Sequence, residues 1–488
     1  MKFSGRTVLA FVMASIIGTA LVTYGLTHEI SLSGSLHSST MAAAPDGAGA
    51  DRLKPEELDK INAVLGLIET KYYKDVDRDE IIDGAVKGMM SALEDPYSVY
   101  MEKDVAQHFS ESVEGSFTGI GAEVTMDSGN VVIVSPIKSS PAEKAGLLAK
   151  DIVLSVNGKK LSGLDLNEAV SLIRGPKGTK AKLLIKRTGH AEPLELDLIR
   201  DDIDVETVFA KKRDDGVGVI EIRQFSLNTA DRFAEELAKL EQQGISGLVI
   251  DVRNNPGGIL PVVIKVAENF VPKGKTIVQV EDRGGNREKT LSGGQDGKSY
   301  PIAVLMNKGS ASASEILAGA LHEEADAILV GETSYGKGTV QVSYNKALGD
   351  GSLIKMTIAK WLTPNGEWIH QKGIEPDVKA PAPALYSAAR LSVTKPLVAD
   401  SIGDQVRSLQ TILKGLGYDP KRDDGYYSTS TVQAVKQFQS HAGLPADGKV
   451  DAKTANALEQ AAMQWLKQET NDSQLQQAVE AVKGEGRK

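Results

Sequence analysis

Residues Pro301–Ala325 read PIAVLMNKGSASASEILAGALHEEA. The segment begins with the apolar run IAVLM, typical of a strand buried on both faces, and the part from Ser312 onward has the composition of a helix. From residue 216, similar runs (VGVIEI, GLVIDVR, AILVG) alternate with helical segments. This alternation of strands and helices predicts an α/β domain with a largely parallel sheet.

Ser312 lies where this strand gives way to the helix, in the motif SASE. Taken alone, S-x-x-E is a capping box, in which the serine only satisfies backbone donors. The same position also suits a nucleophile, because free N–H groups and a positive partial charge at a helix N-terminus stabilise an oxyanion. The motif by itself is compatible with both interpretations.

Lys337 follows 25 residues later, between Gly336 and Gly338, which is an unusual setting for a solvated lysine. To act as a base near pH 7 its pKa has to fall from about 10.4 toward 7–8, which needs roughly 3–5 kcal/mol of desolvation. We therefore expect an apolar environment without a carboxylate partner. Gln341 can orient the amine without adding charge. Because four residues of extended strand span about 13 Å, joint action of Lys337 and Gln341 requires a turn over residues 337–341.

Residues 113–200 alternate short β-type runs with turns, and the stretch Ser139–Leu161, SSPAEKAGLLAKDIVLSVNGKKL, resembles the PDZ domain family. The resemblance implies that a peptide adds as a strand to a sheet edge and that a loop of backbone N–H groups binds its terminal carboxylate. The matching loop contains Gly119, Ile120 and Gly121. The alternative is a small β-domain with glycine turns and no ligand.

A linker, APAPAL, follows Val378, and a last module begins near Gly403. Its apolar spacing predicts three short helices, and two similar Asp-Gly elements predict a pseudo-repeated bundle. The module resembles the peptidoglycan-binding domain of wall-active enzymes; the alternative is a generic three-helix domain. The segment after Gln468 is polar with weak periodicity, so we expect it to be partly disordered.

The N-terminus carries Lys2 and Arg6 before the apolar run Val8–Leu26, and the small residues of Met41–Ala44 could be a cleavage site. This pattern predicts a signal peptide or a retained membrane anchor. Either one places the rest of the chain outside the cytoplasm, as a membrane-anchored protein or as a secreted protein associated with the cell wall.

The composition excludes several classes of function. A net charge of −9 argues against nucleic-acid binding. The absence of cysteine removes thiol catalysis and disulfides, and the seven histidines show no HExxH spacing. We therefore expect no metal site and no cofactor.

Four motifs in order resemble the carboxyl-terminal processing peptidases, also called tail-specific proteases: DVRNNPGG, SASASE, GKGTVQ and KGIEPDV. The resemblance covers about residues 55–380. It implies a multidomain α/β protein, with a crotonase-like α/β serine protease core, an inserted PDZ (α+β) domain and, at the C-terminus, the small all-α wall-binding domain.

The resemblance also implies roles for individual residues. Ser312 attacks, Lys337 is the general base and Gln341 positions the lysine. The backbone N–H of Gly258, with Gly257 as the alternative, forms an oxyanion hole with that of Ala313. An arginine at the position of Arg174 couples the ligand-filled PDZ domain to the active site, although an exposed arginine before a turn remains the alternative.

The sequence thus predicts an exported serine endopeptidase that recognises protein C-termini, cleaves near them and is held at the cell wall. A Ser–His–Asp protease using His370 is disfavoured because no GxSxG motif is present; an inactive wall-bound scaffold is disfavoured by the intact triplet of serine, lysine and glutamine.

The expected partners are proteins or peptides with free C-termini, peptidoglycan, the membrane if the N-terminal segment is retained, and a second copy of the chain as a homodimer. The expected regions are 1–44 (signal or anchor), 51–110 (helical), 111–200 (PDZ), 201–380 (protease core), 381–401 (linker), 402–466 (wall-binding) and 467–488 (polar tail).

Overall fold

The structure, a computed structural model, describes residues 53–484 except 128, 189, 191, 346–347, 392 and 394. The expected signal or anchor, residues 1–44, lies outside the described residues. Within the described part, no helix combines the length and apolarity that a membrane crossing requires. Contacts divide the chain into two units, residues 1–78 and 79–488. The first contains the predicted helix α1 (Pro55–Lys71).

Helix α2 (Arg78–Ser91) begins at the boundary between the units and leads to β1 (Val99–Met101) and α3 (Lys103–Glu114). Strand β1 pairs antiparallel with residues Leu353–Lys355 of the protease core. The region expected to be only helical therefore also contributes a strand to the core.

The PDZ region forms an antiparallel sheet, as its short alternating runs predict. In β7 (Lys180–Lys186) every second side chain is buried, because successive residues of a strand point to opposite faces. The elements are β2 (Ser116–Gly119), β3 (Ala122–Asp127), β4 (Asn130–Pro136), α4 (Pro141–Lys144), β5 (Ile152–Val156), β6 (Lys159–Lys160), α5 (Leu166–Ile173), β7 and β8 (Leu194–Ile199). The sheet order is β3-β4-β5-β7-β8, with β6 on β5.

A two-stranded sheet joins the PDZ domain to the core. Strand β9 (Asp201–Asp204), directly after the PDZ sheet, pairs antiparallel with β2. The expected division between residues 200 and 201 therefore falls between β8 and β9, and it separates β9 from its partner strand.

The protease core contains the predicted parallel sheet, in the order β10-β11-β12-β15-β16-β19 and parallel from β11 onward. All residues of β12 and β15 are buried, which explains their continuous apolar sequences. The core elements are β10 (Val208–Lys212), β11 (Val217–Ile222), α6 (Thr229–Gln242), β12 (Gly247–Asp251), α7 (Leu260–Ala267), β13 (Thr276–Asp282), β14 (Arg287–Leu291), β15 (Ile302–Met306), α8 (Ala313–Glu324), β16 (Ile328–Gly331), β17 (Thr339–Tyr344), β18 (Leu353–Leu362) and β19 (Val378–Lys379).

A second, antiparallel sheet has the order β1-β18-β13-β14, and β17 pairs with β18. Strand β18 is the half-exposed strand that the alternating sequence SLIKMTIAKWLTP predicts. Because β17 begins two residues after Lys337, this sheet positions the segment that follows the lysine.

The C-terminal module contains the three predicted helices, α9 (Asp404–Gly415), α10 (Thr429–His441) and α11 (Ala452–Leu466). Its pseudo-repeat is visible in the hydrogen bonds of two buried glutamines. Gln410 Oε1 accepts from Gly425 N–H, and Gln439 Oε1 accepts from Gly448 N–H, both at 2.9 Å. Each glutamine thus holds one of the two Asp-Gly elements.

The expectation of a partly disordered tail is wrong for residues 469–484. A 3₁₀ turn (Glu469–Asn471) leads into helix α12 (Ser473–Lys483), which packs on the face of the parallel sheet opposite to α6, α7 and α8. The buried residues of this helix are Gln474, Leu475, Ala478, Val479, Ala481 and Val482. Leu475, Ala478, Val479 and Val482 follow the i, i+3, i+4, i+7 spacing of an amphipathic helix, a local signal that the expectation of disorder overlooked.

Candidate active site

A cavity of about 670 Å³ brings together five of the expected site residues: Ser312, Ala313, Lys337, Gln341 and Gly258. The other four, Gly119, Ile120, Gly121 and Arg174, lie at the PDZ domain. Much of the cavity wall is apolar, formed by Phe109, Val113, Phe225, Ile259, Ile316 and Trp361. Such a wall removes water from polar groups inside the cavity, which raises the cost of holding a charge there.

Ser312 is the N-cap residue of α8 and has the strained backbone angles φ 55° and ψ −112°. A non-glycine residue in such a conformation costs about 1–3 kcal/mol and persists only where its surroundings hold it. The hydroxyl of Ser310 donates to Val252 O (2.8 Å) and that of Ser314 to Asn255 O (2.9 Å). Of these three neighbouring serines, Ser312 is the half-buried one that lines the cavity.

Glu315 connects the serine turn to the lysine loop. Its fully buried carboxylate accepts the N–H of Ser312 (2.8 Å) and of Lys337 (2.9 Å) on Oε2. Its Oε1 accepts the N–H of Gly336 and the hydroxyl of Ser334, both at 2.6 Å. The Glu315 carboxylate therefore makes its half of the capping box by accepting Ser312 N–H. Because it also binds the lysine loop, it fixes the backbone of Ser312 relative to that of Lys337.

Burial and Lys355 lower the pKa of Lys337 to about 8, while Glu315 and Asp95 oppose this shift. The Lys337 ammonium lies 5.1 Å from the centre of the Tyr97 ring. Among the described residues, no carboxylate lies within ion-pair distance of this ammonium. The structure thus agrees with the expected desolvation of Lys337, while Glu315 and Asp95 act on its charge from beyond ion-pair distance.

Residues 337–341 do not form the turn that the sequence interpretation required for joint action of Lys337 and Gln341. Gln341 lies on strand β17, and a β-bulge between Val340 and Gln341 interrupts the pairing with β18. Lys337 reaches the cavity from the loop before the strand because its side chain is long. The Gln341 amide NH₂ donates to the hydroxyls of Thr339 (2.9 Å) and Thr357 (3.1 Å), which fix its orientation.

The KGIEPDV motif supports the lysine loop. Ile374 N–H donates to Ser334 Oγ (2.7 Å), and Ser334 N–H donates to Ile374 O (3.1 Å). A Cβ on Gly373 would lie 2.4 Å from Ser334 O, so only glycine fits this approach. The motif thus holds Ser334, which also donates to Glu315, and so supports the loop that leads to Lys337.

The NNPGG turn presents two glycines to the cavity, and their N–H groups differ. Gly257 N–H donates to Asn255 Oδ1 at 2.8 Å. For Gly258 N–H and Ala313 N–H, no described residue serves as acceptor. A Cβ on Gly257 would lie 2.9 Å from Ser312 Cβ, so the turn packs directly against the serine. Two free N–H groups beside a serine can stabilise negative charge on a carbonyl oxygen.

In the PDZ loop, the side chain of Ile120 is buried and Gly121 has φ 76°. The described residues provide no acceptor for the N–H groups of Ile120 and Gly121. A Cβ on Gly119 would lie 3.7 Å from Arg174 Cγ, so the arginine stem lies against this loop. The arginine Nη1 donates to Glu111 Oε2 on α3 at 2.5 Å.

Sequence reasoning did not assign Lys355, Tyr97 or Asn255 to the site. Lys355 and Tyr97 come from distant parts of the chain and carry no motif, so no sequence signal indicated them. Asn255 lies inside the quoted motif DVRNNPGG. Its position between a buried strand and two glycines was the available signal.

Models of known families match four parts of the chain. Residues 216–380 match peptidase family S41, and residues 132–187 match the PDZ domain family. Residues 402–458 match a family of peptidoglycan binding domains. Residues 16–105 match the family described as the activating protease CtpB N-terminal domain.

Two curated proteins of Bacillus subtilis are similar over almost the whole chain. Carboxy-terminal processing protease CtpB is 46% identical over 444 residues, which cover 90% of this chain and 92% of that protein. Carboxy-terminal processing protease CtpA is 41% identical over 467 residues, covering 96% of this chain and 97% of that protein.

Proposed function

Because the chain belongs to peptidase family S41 and is a carboxy-terminal processing serine protease, we propose that Ser312 and Lys337 form its catalytic dyad. One observation carries this proposal. The half-buried serine and a lysine with a pKa of about 8 line one cavity, and the single carboxylate of Glu315 holds both backbones. An amine with this pKa is partly neutral at pH 7–8 and can accept a proton.

In the proposed reaction, the neutral Lys337 amine takes the proton from Ser312 Oγ as Oγ attacks the scissile carbonyl carbon. The ammonium then gives this proton to the leaving amine, and the acyl-enzyme ester remains on Oγ. A water molecule, deprotonated by the same amine, attacks the ester and releases the new C-terminus. As the ester bond breaks, the Lys337 ammonium gives the proton taken from water to Ser312 Oγ. Over one turnover the serine proton leaves on the amine product and a water proton replaces it, so the chemistry needs no further group.

The proposed oxyanion hole consists of the N–H groups of Gly258 and Ala313, because both residues line the cavity and neither N–H has an acceptor among the described residues. The proposed role of Gln341 follows from its two threonine bonds. They use the amide protons, so the amide oxygen remains to accept a hydrogen bond from the Lys337 amine.

We further propose that the PDZ domain captures the C-terminus of the substrate and that Arg174 transmits this event. The arginine lies on the carboxylate loop and binds Glu111 of α3. The same helix contributes Phe109 and Ser112 to the wall of the catalytic cavity. A ligand that moves Arg174 can therefore shift this wall through α3.

The peptidoglycan-binding domain supports the proposal that the enzyme acts outside the cytoplasm, in contact with the cell wall. Retention of the N-terminal segment as an anchor and dimer formation remain part of the proposal.

The dyad is tested by Ser312→Ala. We expect at least a 1,000-fold loss of kcat on an internally quenched peptide with a free C-terminus, because no nucleophile remains. The control is Ser310→Ala, whose hydroxyl binds backbone, so it should lose stability and keep kcat per folded molecule within about tenfold. An active Ser312→Ala protein with an unchanged cleavage site would refute the dyad.

A second prediction concerns the free C-terminus of the substrate. Amidating it should lower kcat/KM about tenfold or more, because charge-assisted hydrogen bonds to the N–H groups of Ile120 and Gly121 are lost. The measurement compares amidated and free peptides of one sequence by mass spectrometry. Acetylating the N-terminus is the control and should change nothing. Equal cleavage of amidated and free peptides would show that the loop does not read a carboxylate.

A further inference from the structure

Asn255, inside the NNPGG turn, has a fully buried side chain and uses both ends of its amide. Its Nδ2 donates to Ile222 O, at the end of β11, at 2.8 Å. Its Oδ1 accepts Gly257 N–H, also at 2.8 Å. The side chain therefore ties the turn to the central sheet and fixes the direction of one particular N–H.

The main chain of Asn255 holds the serine turn as well. Its carbonyl oxygen accepts Ala311 N–H (3.0 Å) and the hydroxyl of Ser314 (2.9 Å). These donors flank Ser312 on both sides in the sequence. One residue thus fixes the distance between the glycine turn and the strained serine.

The bond to Asn255 also decides which glycine faces the substrate. With its N–H directed at Oδ1, Gly257 has no donor for the cavity, whereas Gly258 keeps one. Both glycines have positive φ values (104° and 153°), so the turn depends on restraints to keep this one arrangement. Phe225 N–H donates to Gly257 O (3.1 Å) and so restrains the peptide that carries Gly258 N–H, whereas Gly257 N–H depends on Asn255 Oδ1 for its direction.

We propose that Asn255 is the positioning residue of the oxyanion hole: it holds Gly257 N–H away from the substrate, so that Gly258 N–H, on the peptide restrained by Phe225, is the donor presented beside Ser312. The proposal rests on the proposed dyad. Asn255 touches neither the substrate nor the reacting atoms, and it acts through the turn. Its effect therefore appears in the transition state, where the oxyanion exists, and not in the binding of the uncleaved peptide.

The test compares Asn255→Ala with the parent enzyme in the full chain. We expect kcat to fall about 100-fold or more, the loss known for one oxyanion donor, with KM changed less than about twofold. The Ki of a peptide aldehyde, whose adduct with a serine carries an oxyanion, should rise by a similar factor. The Kd of the uncleaved peptide, measured in the Ser312→Ala background, should stay within about twofold, and the binding stoichiometry gives the folded fraction.

Two further variants separate positioning from structural support. Asn255→Asp keeps an acceptor for Gly257 but loses the donor to Ile222, so it should be less stable and yet keep kcat per folded molecule within about tenfold. Asn254→Gly removes a neighbouring exposed side chain that bonds Asn307 and keeps the positive φ of 57°, so its kcat should stay within about threefold.

Three outcomes would overturn the proposal: kcat of Asn255→Ala within about threefold of the parent enzyme, equal losses in aldehyde Ki and peptide Kd, or equal kcat for Asn255→Asp and Asn255→Ala. The failure of the dyad is a separate result, because it would appear as activity in Ser312→Ala.

Discussion

Replacing Lys337 with methionine should lower kcat about 1,000-fold and leave the fold intact. A general base contributes about 10²–10⁴ to the rate, and methionine keeps the length and apolar contacts of the lysine stem. Burial disfavours the lysine charge, so its removal should not lower the melting temperature. The control is Lys360→Met on β18, whose ammonium pairs with Glu281. It should keep kcat within about threefold, and equal activities of the two variants would exclude Lys337 as the base.

The pH profile of the native enzyme gives an independent check of the same base. Only the neutral amine accepts a proton, and its fraction rises with pH through the Lys337 pKa of about 8. Therefore kcat/KM should rise about tenfold per pH unit below 8 and level off above it. A profile that is already flat from pH 6 to 9 would argue against this assignment.

The second large effect concerns the C-terminus: a chain ending at Gln468 should fail to fold. It loses α12, whose Leu475, Val479 and Val482 cover the parallel sheet. Burying three such side chains is worth roughly 5–9 kcal/mol, comparable with the total stability of a domain, about 5–15 kcal/mol. Circular dichroism and thermal unfolding of the truncated chain measure this, and a soluble, active product would contradict it.

An ion pair next to the oxyanion turn adds to this effect. Arg253, two residues before Asn255, binds Asp472 through two bonds (2.9 and 2.7 Å), and the same aspartate caps α12. Truncation removes Asp472, and among the described residues Asp251 is then the remaining ion-pair partner of Arg253. Deletion of everything after the linker would therefore remove the wall-binding module and also damage the protease.

The appropriate test of wall binding excises residues 397–466 and joins the ends with a flexible Gly/Ser linker, so that α12 remains. This variant should cleave peptides at the parent rate and no longer sediment with isolated cell wall. A second variant, the isolated module 397–466 fused to a soluble carrier, should sediment with wall. If the enzyme without residues 397–466 still sediments with cell wall and the fused module does not, wall binding belongs to another part of the chain.

Local patterns were sufficient for much of the fold. The runs of β12 and β15 are apolar throughout because both faces of a central parallel strand are covered, and this needs no knowledge of what covers them. The motifs around Ser312 and Lys337 likewise predicted a strand–helix junction and a desolvated lysine. In contrast, the turn over 337–341 that joint action of Lys337 and Gln341 required does not form, because pairing of Gln341 with β18 decided the conformation there.

The sequence by itself determined which chemical groups the protein has and which types of element carry them, since strand, helix and turn preferences depend on neighbours within a few residues. Only the tertiary structure decided which groups meet. It brought Tyr97 and Lys355 to Lys337, joined the Asn255 side chain to Ile222 O and placed α12 on the sheet. Each of these depends on contacts between residues far apart in the chain, whose free energy comes from desolvation and hydrogen bonding that no local pattern contains.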